Sequence, residues 1–146
     1  AGLGAAVARL EAEGMASVFA RHRRLAQGVR CAVAAWGMRP CAVDPATLSD
    51  SVTAIVVPEG CDGADLVRLA AQRYGVAFGA GLGAVAGRVF RIGHLGSLSD
   101  VLLLSGLATA EMCMADLGWP VRLGSGVAAA QEHFRATAAR PLSAAA

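Results

Sequence analysis

The sequence predicts an α+β fold: a small, mostly antiparallel sheet of about four strands, covered by helices and entered through a long N-terminal helix. Three observations predict it. Segments follow one another as helix, two strands, helix, two strands and two helices, an order that suits a sheet with helices on one face. Glycines and prolines stand where one hydrophobic period gives way to another. The chain is 146 residues long, 55% hydrophobic and 16% charged. That is enough for one domain with a real core and excludes a disordered chain.

Residues 1 to 36 read as helix. Val18, His22, Leu25, Val29, Val33 and Trp36 recur at steps of three and four and make an apolar stripe. Gly14 marks a break or kink, and Leu3, Val7 and Leu10 form the stripe of the earlier piece. Gly37 and Pro40 are stop signals. A helix this long, with nothing before it to pack on, reads as a connector; the plainer alternative is a terminal helix lying on its own domain. Arg21, His22, Arg23 and Arg24 form a short basic run, expected to be a wet helix face.

Cys41 to Val43 reads as a short strand ended by Asp44-Pro45. Thr53 to Val57 is a stronger one, β-branched and closed by Pro58. Asp62 is the expected N-cap of a helix that carries Asp65 in its first turn, turns Leu66, Leu69 and Ala70 inward and stops at Tyr74-Gly75. Val76 to Phe78 and Arg88 to Ile92 read as the next strands, with a glycine loop between them. Ser97 or Ser99 caps a helix to about Leu117, whose stripe reads as Val101, Leu104, Ala108, Met112 and Ala115. A last helix covers about Gly126 to Ala139, and the tail from Pro141 is expected to fray.

Composition excludes several function classes. The net charge of +2 is small and dispersed, which argues against nucleic acid. All 13 basic residues are arginine, so the chain contains no lysine. Cys31, Cys41, Cys61 and Cys113 are far apart and form no Cys-x-x-Cys pair, which argues against zinc and against a disulfide framework. A reducing, cytoplasmic compartment is the simplest reading. The most apolar run, Val101 to Leu117, contains Ser105, Glu111 and Asp116 and is too short and polar to span a bilayer. Neither a signal peptide nor a peroxisomal C-terminus is recognisable.

The chemistry concentrates between Gly79 and Gly96. A glycine loop (Gly79, Gly81, Gly83) precedes an apolar strand carrying Arg88 and Arg91, and Gly93 and Gly96 bracket a second turn. An arginine with glycines on both sides can present its planar fork to a carboxylate or phosphate through two parallel hydrogen bonds. Strand alternation puts Arg91 opposite in face to Phe90 and Ile92. That is equally compatible with an ion pair to Glu59 or Asp100. Gly81-x-Gly83-x-x-Ala86 fits the dinucleotide pattern, with Asp100 downstream, but no helix opens at the glycines. His94 either serves as an acid–base group or orients its turn. His22 reads as packed and His133 as solvated. Glu111 reads as a satisfied buried acid or an interface residue, and Trp36 and Trp119 as core or interface anchors.

Arg91-Ile92-Gly93-His94-Leu95-Gly96, preceded by Gly79 to Gly83 and Ala86 to Phe90, closely resembles the C-terminal domain of class V pyridoxal-phosphate aminotransferases. Serine–glyoxylate and alanine–glyoxylate aminotransferases are the most similar branch. Further matching blocks follow in the family's order: Val18 to His22, Val52 to Ala54, Val57 to Gly60, Glu111-Met112 and Gly124 to Glu132. The resemblance implies a fold-type I homodimer with a large cofactor domain, residues 1–37 being the connector helix from it and 38–146 the small domain. It implies that Arg91 binds the α-carboxylate of an amino-acid or 2-oxo-acid substrate, and that Gly79, Gly81, Leu82 and Gly83 lie near the active-site mouth. The family's Schiff-base lysine and its pyridine-pairing aspartate belong to the large domain, so pyridoxal 5'-phosphate would not be bound covalently by this chain. The chain alone would then be inactive. A free-standing module that binds small ligands or dimerises, without chemistry, is the alternative.

Overall fold

A computed structural model describes residues 2–138. The expected Ala139 end of the last helix and the tail from Pro141 lie outside the described residues. The first helical stretch divides at Gly14, whose φ of +81° suits glycine. Helix α1 (Gly2–Glu13) buries nothing. Helix α2 (Met15–Ala35) buries Val18, Leu25, Ala26, Val29, Ala32 and Val33, with Trp36 as C-cap. The stripe read from the sequence is thus the face α2 turns to the core.

Four strands form one antiparallel sheet in the order β1-β2-β4-β3. They are β1 (Arg39–Pro40), β2 (Val52–Val56), β3 (Gly79–Ala80) and β4 (Val89–Gly93). Two strands sit elsewhere than the sequence suggests. Pairing at the first edge falls on Arg39 and Pro40, not on Cys41 to Val43. Cys41 N–H makes one last bond to the Ala54 carbonyl. Val43 is then 88% exposed, and Asp44 caps a short 3-10 turn, Pro45–Thr47. At the other edge Val76 to Phe78 do not pair. Helix α3 (Gly63–Tyr74) ends at Gly75 in the left-handed region, and Val76 N–H reaches back to the Ala70 carbonyl. Pairing begins only at Gly79, opposite Arg91. A Cβ at Gly79 would lie 3.0 Å from Arg91 Nε, so packing overrides β-propensity there.

In the sheet, Thr53, Ile55, Phe90 and Ile92 face the helices and are buried. Val52, Ala54, Val56 and Arg91 face the other way and are half-buried. Asp62 caps α3 by accepting from Ala64 N–H, as expected. Ser99, rather than Ser97, caps helix α4 (Asp100–Asp116). Its inward face is Leu103, Leu107, Ala110 and Met114, whereas Val101 is 74% exposed and Met112 38% exposed. The stripe expected at Val101, Leu104, Ala108, Met112 and Ala115 therefore faces mostly outward. The helix is apolar nearly all round, so periodicity does not single out the buried side.

Helix α5 (Ser125–Thr137) lies antiparallel on α2 through a reciprocal fit. The Phe134 ring of α5 fills the space above Gly28, and the Trp36 indole fills the space above Gly126. Any Cβ at either glycine would overlap those rings. Among the described residues no helix is long and apolar enough to cross a membrane.

Candidate functional site

Arg91 sits in the middle of β4, beside Ala54 of β2 and Gly79 of β3. Both neighbours are small, so its half-buried side chain lies flat over the glycine. Its Nε donates to the Ala80 carbonyl at 3.0 Å. The terminal nitrogens make no hydrogen bond and no ion pair among the described residues. Neither acid foreseen as a partner takes it. Asp100 is held by both terminal nitrogens of Arg24, at 2.6 and 2.7 Å, and Glu59 is exposed in the loop after β2. The fork is thus anchored at its base with its outer edge open.

The loop beside it is built from glycines for steric reasons. A Cβ at Gly81 would run into the Val85 carbonyl, and Gly83 has φ +56°. Leu82 is 68% exposed. Residues Gly83–Val85 form one 3-10 turn before β4, so no helix N-terminus meets the glycines. The dinucleotide pattern lacks the element that would hold a pyrophosphate.

The turn after Arg91 is pinned from two sides. His94 is fully buried; its Nε2 lies 2.9 Å from Thr53 Oγ1 and its Nδ1 3.1 Å from the Asp50 carbonyl. Burial pushes its pKa below the usual imidazole value, and the nearby Arg30 and His22 add to that, while Asp50 opposes it. From outside, Gly96 N–H donates to His22 Nε2 at 3.1 Å and Arg21 donates to the Gly96 carbonyl at 2.6 Å. His94 is accordingly a turn-holding residue with no free edge for acid–base work.

The basic run is not a wet face throughout. Arg21 is also paired with both oxygens of Glu13, at 2.7 and 2.8 Å. Arg24 clamps Asp100 and the carbonyls of Phe134 and Thr137. His133 is half-buried, with Nε2 3.0 Å from the Arg24 carbonyl, rather than solvated. Glu111 is a satisfied buried acid, 2% exposed. It accepts from the Trp36 indole and from the backbone N–H groups of Gly124, Gly126 and Val127.

All four cysteines are free. Among the described residues no cluster of histidine, cysteine and acids could hold a metal. Two clefts, one between α4 and α5 and one beside Leu95, do not include Arg91. Thr53 and Asp50 were not singled out by the sequence, since a strand threonine and a loop aspartate carry no signal until the register puts them against His94.

No family model matches the chain. It is 64% identical over 138 residues to the L-aspartate–glyoxylate aminotransferase of Paracoccus denitrificans, covering 94% of this chain and 35% of that protein. It is 50% identical over 139 residues to the serine–glyoxylate aminotransferase of Hyphomicrobium methylovorum, covering 95% and 34%. The crystal structure of the pyridoxamine–pyruvate aminotransferase of Mesorhizobium loti superposes with a TM-score of 0.86 at 32% identity, covering 92% of this chain and 35% of that one. The chain thus spans about a third of the length of the curated relatives it matches. By sequence and by fold it belongs to the class V aminotransferases, as a C-terminal part of them.

Proposed function

We propose that this chain is the C-terminal part of a pyridoxal-phosphate-dependent aminotransferase that uses glyoxylate as amino acceptor, and that Arg91 holds the substrate's α-carboxylate. One observation carries the reading: Arg91 is fixed through Nε to the Ala80 carbonyl while, among the described residues, no acid pairs with its outer edge. A half-buried guanidinium in that state is suited to a carboxylate, which meets both terminal nitrogens at once. Ala54 and Gly79 leave room for it, and Gly79, Gly81, Leu82 and Gly83 border the same face. Glyoxylate is the acceptor named in both of the sequence relatives described above. The amino donor is aspartate in one name and serine in the other; serine or alanine is what the motifs suggest.

The cofactor, when bound, supplies an electron sink for the substrate carbon. The residues present do not fit its attachment, because the chain has no lysine to form the covalent link. No step on the cofactor is therefore assigned to this chain, which binds and orients the carboxylate. The reading includes a large domain in the longer protein that carries lysine and cofactor, a cytoplasmic homodimer, and inactivity of the present chain alone. It also keeps residues 1–37 as the connector from the large domain and 38–146 as the small domain, with α2 of the connector packed into the core.

In the longer enzyme, Arg91→Ala should raise the KM for amino donor and glyoxylate by roughly a hundredfold, the usual cost of removing one partner of a charged hydrogen-bonded pair, with cofactor retained. An unchanged KM would sink the carboxylate role. The chain alone, mixed with pyridoxal phosphate and borohydride, should acquire no chromophore on a side chain, and a specific side-chain adduct would contradict the reading. A longer protein that binds carboxylates but transfers no amino group would favour the module instead.

A further inference from the structure

We propose that His94 is a positioning residue for Arg91: its ring, held between Thr53 and the Asp50 carbonyl, fixes the end of β4 and so sets where the guanidinium points. The proposal rests on Arg91 being the carboxylate ligand.

The hydrogen bonds define the ring's state. A carbonyl can only accept, so the Nδ1 edge facing Asp50 carries the proton. Nε2 is then the acceptor, and the Thr53 hydroxyl donates to it. The backbone N–H of His94 adds a third bond, to the Ser51 carbonyl at 2.9 Å. One residue is thereby tied to three positions at the start of β2, next to the last rungs of the β2–β4 ladder. Arg91 lies three residues back on β4, paired with Ala54.

The ring cannot touch a ligand held by Arg91. It is fully buried, and it continues the inward-facing series of Phe90 and Ile92, on the opposite side of the sheet from Arg91. Its influence must run through the backbone. An apolar residue of similar size could fill the space, but it would be indifferent to register. A histidine here is not, because a one-residue slip would leave both ring nitrogens buried without partners. His22 and Arg21 hold the outside of the same turn through Gly96, so the segment after Arg91 is gripped between α2 and β2.

The experiment uses the longer enzyme with five forms: parent, Thr53→Val, Thr53→Ser, His94→Ala and Arg91→Ala. Thr53→Val keeps shape and removes only the donor to Nε2. It should raise the KM for the carboxylate substrates about tenfold, as loss of a supporting hydrogen bond misplaces a binding group, with kcat within about twofold and cofactor affinity unchanged. Thr53→Ser should restore the parent KM, and His94→Ala should match or exceed Thr53→Val. A merely structural role would lower the unfolding midpoint of Thr53→Val and His94→Ala and leave KM alone, and that result overturns the proposal. Arg91→Ala separates the two claims. If it raises KM while Thr53→Val does not, positioning fails and the carboxylate site stands; if it leaves KM unchanged, the carboxylate site itself fails. Should the variants not fold, nitrogen NMR of the unaltered protein decides: a slowly exchanging Nδ1–H tautomer of His94 is expected, and an Nε2–H tautomer refutes the lock.

Discussion

Glu111 is a carboxylate buried on an apolar helix, and it is tolerated because each oxygen is occupied. Oε1 takes the Trp36 indole, Gly126 N–H and Val127 N–H; Oε2 takes Gly124 N–H. The three backbone donors are ones a helix leaves unpaired at its start, so Glu111 of α4 acts as the cap that the N-cap residue Gly124 of α5 has no side chain to provide. Glu111→Ala should cost about 3 kcal/mol or more of unfolding free energy, since several buried donors lose a charged acceptor together. A urea midpoint within error of the parent would show that water takes over the role. His94 gives a pH dependence with a definite sign. Its folded pKa is below the ordinary 6.5, so the unfolded chain binds more protons in that window. Its contribution is fully present above about pH 6.5 and is lost as pH falls toward the folded value. Urea midpoints should fall on acidification through that range, and the ring should titrate below 6.5 by NMR. A titration at or above 6.5 would refute the burial effect.

Among elements, α1 and α2 look alike in sequence and differ in what they do. Each carries an apolar stripe, but α2 meets α5 and the sheet while α1 leaves Leu3 80% exposed and is held chiefly by Glu13 on Arg21. An exposed ion pair of that kind is worth about 1 kcal/mol at most. Removing residues 1–13 should therefore leave the unfolding midpoint nearly unchanged and reduce self-association measured by sedimentation, because it takes away the exposed apolar side chains Leu3 and Val7. Unfolding of the shortened chain would mean that α1 belongs to the core. Much of the architecture was legible in the sequence: the break at Gly14, the caps Asp62 and Ser99, the Gly75 stop and the antiparallel sheet all follow from local chemistry. The buried side of α4 did not, because an all-round apolar helix has no stripe to read. The edge strands did not either, because two-residue pairings are decided by neighbours such as Arg91. Of the candidate site, the glycine loop and Arg91 were visible as residue types, while the His94–Thr53–Asp50 arrangement exists only once the register is known.

At the scale of the whole molecule, the two faces of the sheet differ. The inward face packs against α2 and α3, and residues of α4 and α5 complete the core around Ile55, Phe90 and Ile92. The outward face carries Val52, Ala54, Val56, Gly79 and Arg91, all half-buried, and the buried Val89 at its far end. Ala54→Leu should therefore leave the unfolding free energy within about 0.5 kcal/mol of the parent. It should raise the KM of the longer enzyme by crowding the approach to Arg91. A large loss of stability with an unchanged KM would show that this face is structural.

The same asymmetry separates two histories written in one strand. Positions of β4 answer to different tests, Phe90 and Ile92 to whether the chain keeps its shape and, on the proposed carboxylate role, Arg91 to whether a substrate is held. A lineage that lost its need for the reaction could let Arg91 drift and still inherit an intact fold, as long as the buried Val89 stayed apolar. Such descendants would be recognised by a preserved Phe90–Ile92 rhythm around a missing arginine.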